Sequence, residues 1–174
     1  TPGTYGWAVG STGGDCWWRR PVQGGPKKGG GGCTFCSWTS LLPVFSVRPV
    51  QDYLDELENL AAMGVKEVFD DTGTFPAGRW LEEFCKGYQE RGLHKVLMMG
   101  CNMRPGALGP QQYQMLAESN FRFVLYGIES ANQKTLDMLN KGCTLEQQRE
   151  SLQWASEAGL EPHVTVMMGY PWES

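Results

Sequence analysis

An α/β fold built on parallel strands is what this sequence predicts, and three observations carry the prediction. From residue 50 to residue 168 helix-like and strand-like segments alternate in strict succession, with connections too long for hairpins, which implies parallel strands joined by right-handed crossovers. Polar residues gather just after the strands, at Asp70, Asp71, Asn102, Arg104, Glu129, Ser130 and Glu173. In parallel α/β folds that side carries the ligand site. Ahead of the series, Cys33-Thr34-Phe35-Cys36-Ser37-Trp38 places a close thiol pair on a glycine-rich loop.

The 174 residues suit one domain large enough to bury a real core, and 41% hydrophobic with 20% charged residues is the balance of a globular chain. A formal charge of −4 leaves no electrostatic footprint for nucleic acid or an anionic membrane surface, so neither is an expected partner. No run of about 18 apolar residues exists, and the N-terminus lacks the plan of a signal peptide, which makes the cytoplasm the expected location. Six cysteines without a secretory signal read as thiols or metal ligands before they read as a disulfide framework. The chain starts without methionine and stops at Pro171-Trp172-Glu173-Ser174, directly after a strand-like run, and so reads as a piece of something longer.

Thr4 to Val9, partly aromatic and bounded by glycine, permits a first strand. Between the cysteines, Arg20 to Gly32 has neither apolar periodicity nor β-branched content, and reads as an exposed excursion. Lengthening a loop to this extent costs only about 1–2 kcal/mol in closure entropy. Val50, Tyr53, Leu54, Leu57, Leu60 and Ala61 then recur at helical spacing, with Pro49 at the start and Gly64 as the stop. Val65 to Phe69 is a strand that delivers Asp70 and Asp71 to its end. A second helix runs through Trp80, Leu81, Phe84 and Tyr88 to Gly92, and Lys95 to Met99 is the next strand.

Pro110 opens a third helix that closes at Asn120. Phe121 to Ile128 is nearly continuous in apolar residues, as expected of a strand buried on both faces. A short helix follows from Asn132 to Leu139, and Thr144 with Gln147 three residues on forms a capping box that opens another helix, ending near Gly159. His163 to Met168 is the last strand in the sequence.

A third thiol, Cys16, stands upstream in Gly14-Asp15-Cys16-Trp17-Trp18-Arg19. With Arg20 to Gly32 excised, Cys16, Cys33 and Cys36 fall in the pattern CxxxCxxC, which resembles the cluster loop of radical S-adenosylmethionine (radical SAM) enzymes. Four further phrases resemble the subgroup that often carries a cobalamin-binding domain. They are Phe69-Asp70-Asp71-Thr72-Gly73-Thr74-Phe75, Cys101-Asn102-Met103-Arg104, Gly127-Ile128-Glu129-Ser130 through Asn140-Lys141-Gly142, and Gly169-Tyr170-Pro171-Trp172-Glu173. Each follows a strand. Two departures are Trp17, where that family commonly has proline, and Trp172, where it commonly has glycine.

The resemblance implies a partial (βα)6 barrel, truncated here after about the fifth strand, with residues 1–174 as an incomplete core domain and 20–32 as an insertion in the cluster loop. It implies a [4Fe–4S] cluster on Cys16, Cys33 and Cys36. Three thiolates hold three irons, and the fourth iron is left for the methionine end of S-adenosylmethionine. The implied cofactor-binding residues are Phe35, Asp70, Asp71, Asn102, Arg104, Glu129, Ser130, Met168 and Gly169. The implied chemistry is reductive cleavage of the sulfonium to a 5′-deoxyadenosyl radical, with cobalamin-dependent methyl transfer or a related rearrangement of a small-molecule substrate. Electrons would come from a donor such as flavodoxin or ferredoxin, and cobalamin from a domain outside the chain.

Blander readings stand beside these. A lone CxxC is often half of a zinc site, which would need two more ligands, and His94 and His163 lack paired spacing. A degenerate barrel that keeps the fold without the cluster is a further alternative. Asp70 and Asp71 could serve as turn caps. Glu129 needs a partner at a buried strand end, and Arg104 is a candidate for it. Cys85, Cys101 and Cys143 read as packing residues before ligands, with Cys101 nearer to a pocket-liner than Cys143, and Lys141 reads by composition as exposed.

Overall fold

The computed structural model describes residues 6–14, 16–18, 31–41 and 45–173. Strands β1 (Trp7–Gly10), β4 (Glu67–Asp70), β5 (Met98–Met103), β6 (Phe121–Glu129) and β7 (Glu161–Val166) pair in that order into one parallel sheet. The short strands β2 (Gly13–Gly14) and β3 (Ser46–Val47) form a separate antiparallel ribbon. Helices α1 (Trp38–Leu41), α2 (Val50–Ala62), α3 (Arg79–Glu90), α4 (Pro110–Glu118), α5 (Gln133–Met138) and α6 (Leu145–Glu157) fill the connections. Among the described residues the sheet does not close: β1 and β7 are its two edges, so the architecture is a partial barrel. No helix among them is long and apolar enough to cross a membrane.

The core lies between the sheet and its helix layer. Tyr53, Leu54 and Leu57 of α2 and Leu81, Phe84 and Tyr88 of α3 are fully buried against Val68, Met99, Val124 and Tyr126 of the strands. Spacing at i, i+4 stacks Trp80 on Phe84 and Phe84 on Tyr88, with Phe75 set edge-on against the first two. Local signals act as expected: Pro110 opens α4, and Thr144 accepts from the Gln147 amide at 3.1 Å while the Gln147 side chain accepts from the Thr144 amide at 2.9 Å.

Several boundaries move. The strand expected over Lys95 to Met99 is β5, three residues later. Gly92, left-handed at φ 70°, ends α3, and Leu93–Lys95 form a 3-10 turn secured where the Tyr88 hydroxyl donates to the Leu97 carbonyl at 2.8 Å. β1 begins at Trp7, while Thr4 and Tyr5 lie outside the described residues, as do residues 20–30 of the expected insertion. The last strand stops at Val166. β6 is not buried on both faces: Val124 and Tyr126 face the helices, whereas Leu125 and Gly127 line a cavity. One face of the sheet therefore makes the core and the other is free for a ligand.

Candidate functional site

A cavity of about 210 Å³ opens at the C-terminal rim of the sheet, and Cys16, Cys33 and Cys36 all line it. The three arrive from different constraints. Cys33 and Cys36 share a tight turn in which the Cys36 amide donates to the Cys33 carbonyl at 3.1 Å. Cys16 is set from across the cavity: its Sγ lies 3.1 Å from Thr74 Oγ1, in the loop after β4, and accepts from the Trp18 amide at 3.4 Å. Burial pushes the Cys33 thiol up, and the cations of Lys141 and Arg104 pull it back down, while Cys16 adds a small upward push.

Charge around the thiols is arranged by buried pairs. Lys141 Nζ donates to Glu129 Oε1 at 2.9 Å, and both side chains are buried. Glu129 sits at the end of β6 with φ 64°, an uncommon conformation for a residue with a Cβ, and its strand slips register there. Gly127 leaves the room that the pair occupies, since a Cβ at 127 would collide with Glu129 Oε1 and lie 2.8 Å from Lys141 Nζ. Arg104 donates to the Lys141 carbonyl, lies with its guanidinium 4.6 Å from the Trp18 ring centroid, and places Nη1 3.9 Å from Cys33 Sγ. Arg104 and Lys141 thus set two cations on the Cys33 side of the cavity, opposing in part the rise that burial gives its thiol, while Asp71 and Glu129 are the carboxylates that line it.

Of the residues expected to bind cofactor, Phe35, Asp71, Asn102, Arg104 and Glu129 line this cavity. Asn102 ties the rim together, donating to Asp71 Oδ1 at 3.3 Å and to the Thr72 carbonyl at 3.1 Å. Asp70, Ser130, Met168 and Gly169 are not among its lining residues. Asp70 ends β4 pointing into the helix layer, fully buried, where Oδ1 accepts from the Thr72 amide at 3.1 Å and from Thr12 Oγ1 at 3.3 Å. Ser130 donates instead to Glu173 at 2.9 Å. Met168, 92% exposed, and Gly169 follow the open edge strand.

Further positions also change. Cys101 is fully buried on the helix side of β5, not in the cavity, and Cys85 and Cys143 are buried packing residues. Lys141, read from composition as exposed, is buried and is the partner of Glu129 in place of Arg104. Trp18, Trp38 and Thr74 are cavity residues that the sequence reading did not single out. The histidines do not complete a zinc site: His163 stacks on Phe123 and lies 3.6 Å from Glu161, and His94 belongs to the 3-10 turn. Among the described residues, no three His, Cys, Asp or Glu side chains converge on one metal ion.

Asp70 yields a test of its own. Burial raises its carboxyl above the usual range, opposed by hydrogen bonds from Thr72 and Thr12 and by the nearby Tyr53 hydroxyl. Neither Oδ2 nor the Tyr53 hydroxyl meets hydrogen-bond geometry. A carboxyl with a raised folded value costs stability as pH climbs from the unfolded value of about 3.9 to the folded one. Asp70→Asn should therefore gain thermal stability relative to the parent as pH rises above about 4, with the difference becoming independent of pH well below it. A difference in Tm that shrinks with rising pH would refute this account.

An open parallel α/β sheet with three thiols, two cations and two carboxylates around a cavity at its C-terminal rim is the frame of a partial barrel. The profile of the radical SAM superfamily matches residues 29–174, and the chain belongs to that superfamily. The match includes Cys33 and Cys36, with Cys16 ahead of it. Anaerobic magnesium-protoporphyrin IX monomethyl ester cyclase of Cereibacter sphaeroides is 25% identical over 142 residues, 79% of this chain and 23% of that protein. The enzyme of that name from Rubrivivax gelatinosus is also 25% identical, over 79% of this chain and 25% of its own length. The chain thus spans about a quarter of these curated relatives.

Among solved structures, the radical SAM methyltransferase TsrM from Kitasatospora setae, with cobalamin and a [4Fe–4S] cluster bound, superposes with a TM-score of 0.77. It is 19% identical and covers 99% of this chain and 32% of its own. The cobalamin-dependent radical SAM enzyme OxsB, with aqua-cobalamin and S-adenosylmethionine bound, reaches a TM-score of 0.74 at 18% identity, over 92% and 23% of the two chains. At these identities the likeness is one of fold, and it matches the partial radical SAM barrel expected from the sequence.

Proposed function

We propose that residues 1–174 form the core of a radical SAM enzyme, with Cys16, Cys33 and Cys36 as ligands of a [4Fe–4S] cluster and 20–32 as an insertion within the cluster loop. The observation that carries the proposal is that Cys16 and the Cys33–Cys36 pair, separated by sixteen residues of sequence, line one cavity with the cations Arg104 and Lys141 beside them. That donor set fits the group: each thiolate serves a different iron, and the net negative charge of a thiolate-bound cluster is balanced by Arg104 and Lys141. When bound, the cluster would supply the electron that splits the sulfonium of S-adenosylmethionine into methionine and a 5′-deoxyadenosyl radical.

The chain's own residues hold and orient. Asp71 and Asn102 present a carboxylate and an amide at the cavity rim, suited to the amino and hydroxyl groups of that cofactor. Phe35 and Trp18 give flat apolar surface beside it, and Glu129, fixed by Lys141, gives an acceptor that cannot swing away. Such preset groups position the cofactor and exclude water from the reacting bond.

The substrate is a small molecule, electrons come from a donor of the flavodoxin or ferredoxin kind, and the reaction is cobalamin-dependent methyl transfer or a related radical rearrangement. Cobalamin would be held by a domain other than residues 1–174. A reducing compartment such as the cytoplasm keeps the thiols available.

Anaerobic reconstitution with iron and sulfide tests this. About four irons per chain with broad visible absorption, and methionine release when S-adenosylmethionine and a reductant are added, is the expected result. Failure to take up iron would overturn the enzyme reading in favour of a barrel that keeps the fold alone.

A further inference from the structure

The two parts of the cysteine set, Cys16 on one side and Cys33 with Cys36 on the other, meet on one short segment after α5. The Trp18 indole donates to the Asn140 carbonyl at 2.8 Å. The Asn140 side-chain amide donates to the Gly32 carbonyl at 2.7 Å, and the Thr34 amide donates to the Leu139 carbonyl at 2.9 Å. Arg104 adds a bond to the Lys141 carbonyl and lies over the Trp18 ring. Backbone conformation makes this possible: Asn140 and Gly142 both have positive φ, 52° and 67°, which turns neighbouring carbonyls to different sides. The Trp18 ring occupies the space that a Cβ at Gly142 would need.

We propose that Leu139–Gly142 is a staple that holds the separated cysteines in register, with Asn140 and Trp18 as positioning residues for the cluster ligands. The inference rests on the cluster reading above. Thirteen residues, 19 to 31, separate Trp18 from Gly32, and a chain of that length constrains its two ends far less than a short loop does. Cluster assembly needs Cys16 near Cys33, and Leu139–Gly142 gives the two sides a common anchor. Removing the anchor therefore matters only while the intervening chain is long. Ordinary loop packing would show no such dependence.

The test uses that dependence. Asn140→Gly keeps the left-handed backbone and deletes the amide, and Trp18→Phe keeps the ring and deletes the donor. The pair is combined, with and without replacement of residues 20–29 by two glycines. In the reconstituted protein, the combined variant should lose iron to a chelator roughly 10–100-fold faster than the parent, with unchanged far-ultraviolet circular dichroism and an altered electron paramagnetic resonance spectrum of the reduced cluster. Shortening the loop in the same background should restore rate and spectrum.

In the metal-free, reduced protein the Thr34 amide should exchange faster in the combined variant and recover with the short loop. Parent-like iron loss in the combined variant, or a loss that shortening does not repair, overturns the staple. If the parent takes up no cluster the enzyme reading fails separately, and Thr34 exchange decides the staple: an unchanged rate refutes it, and a faster rate repaired by shortening supports it.

Discussion

A Cys16→Ala variant should lose the cluster. Cys16 lies ahead of the residues matched by the superfamily profile and is separated from Cys33 by sixteen residues, yet its thiol lines the same cavity as Cys33 and Cys36. With two thiolates left, one further iron loses its protein ligand, and two irons are then open to solvent and chelators. The affinity for the cluster should fall by more than the roughly 10–100-fold that losing a mere supporting residue costs, so that little iron stays bound after desalting. Cys101→Ala and Cys85→Ala provide the comparison, because both thiols are buried on the helix side of the sheet. They should keep the parent's iron content, provided they remain folded. Iron analysis and visible absorption decide the matter: full retention by Cys16→Ala would mean that the Cys33–Cys36 pair binds metal with some other ligand, and Cys16 would drop out of the ligand set.

The second large effect is expected at Lys141. Lys141→Met leaves Glu129 buried at the end of β6 without the ammonium that compensates its charge, and breaking a buried pair from one side typically costs about 3–5 kcal/mol. Chemical denaturation should show the loss in the parent background. Replacing both partners, Lys141→Met with Glu129→Leu, should recover much of it, because the uncompensated charge is then gone as well. A second readout follows from Cys33. Burial raises its thiol and Lys141 lowers it, so loss of the cation should leave less thiolate at a given pH and slow alkylation of Cys33 in the metal-free protein. An undiminished stability in Lys141→Met would show that Glu129 is solvated by another route, and a faster alkylation would reverse the assigned direction of the field.

The sequence and the fold agree where structure is made locally. α2 and α3 follow from apolar spacing, α4 from Pro110 at its first turn, and α6 from the Thr144–Gln147 box, since each of these signals acts within a turn or two of helix. β5 starts later than the apolar pattern predicts because Leu97, Met98 and Met99 suit either a strand or a 3-10 turn, and the Tyr88 bond to Leu97 that separates them crosses nine residues. The cysteine loop was legible as chemistry: three thiols and an aromatic at a strand-to-helix loop suggested a cluster, and the structure brings all three to one cavity.

Asp70 and Asp71 illustrate the limit. They are adjacent and of one type, and alternation along a strand sends them to opposite faces. Which face holds the cavity depends on where α2 packs, and no local signal distinguishes Asp71, which lines it, from Asp70, which does not. Lys141 shows the same limit from the other side. Within Asn-Lys-Gly nothing local marks it as buried, and its burial comes from Glu129, held in a left-handed conformation at the end of β6 and given room by Gly127.

What the sequence by itself determined was the class of fold, the order of its elements, the rim on which polar residues collect and the three thiols, because periodicity, caps and residue chemistry are written locally. Only the tertiary structure decided which of the rim residues share the cavity, which cation neutralises which carboxylate, and how Cys16 comes to stand with Cys33 and Cys36. Those facts depend on contacts between residues that the chain separates widely, and such contacts are set by packing and register rather than by neighbours in sequence.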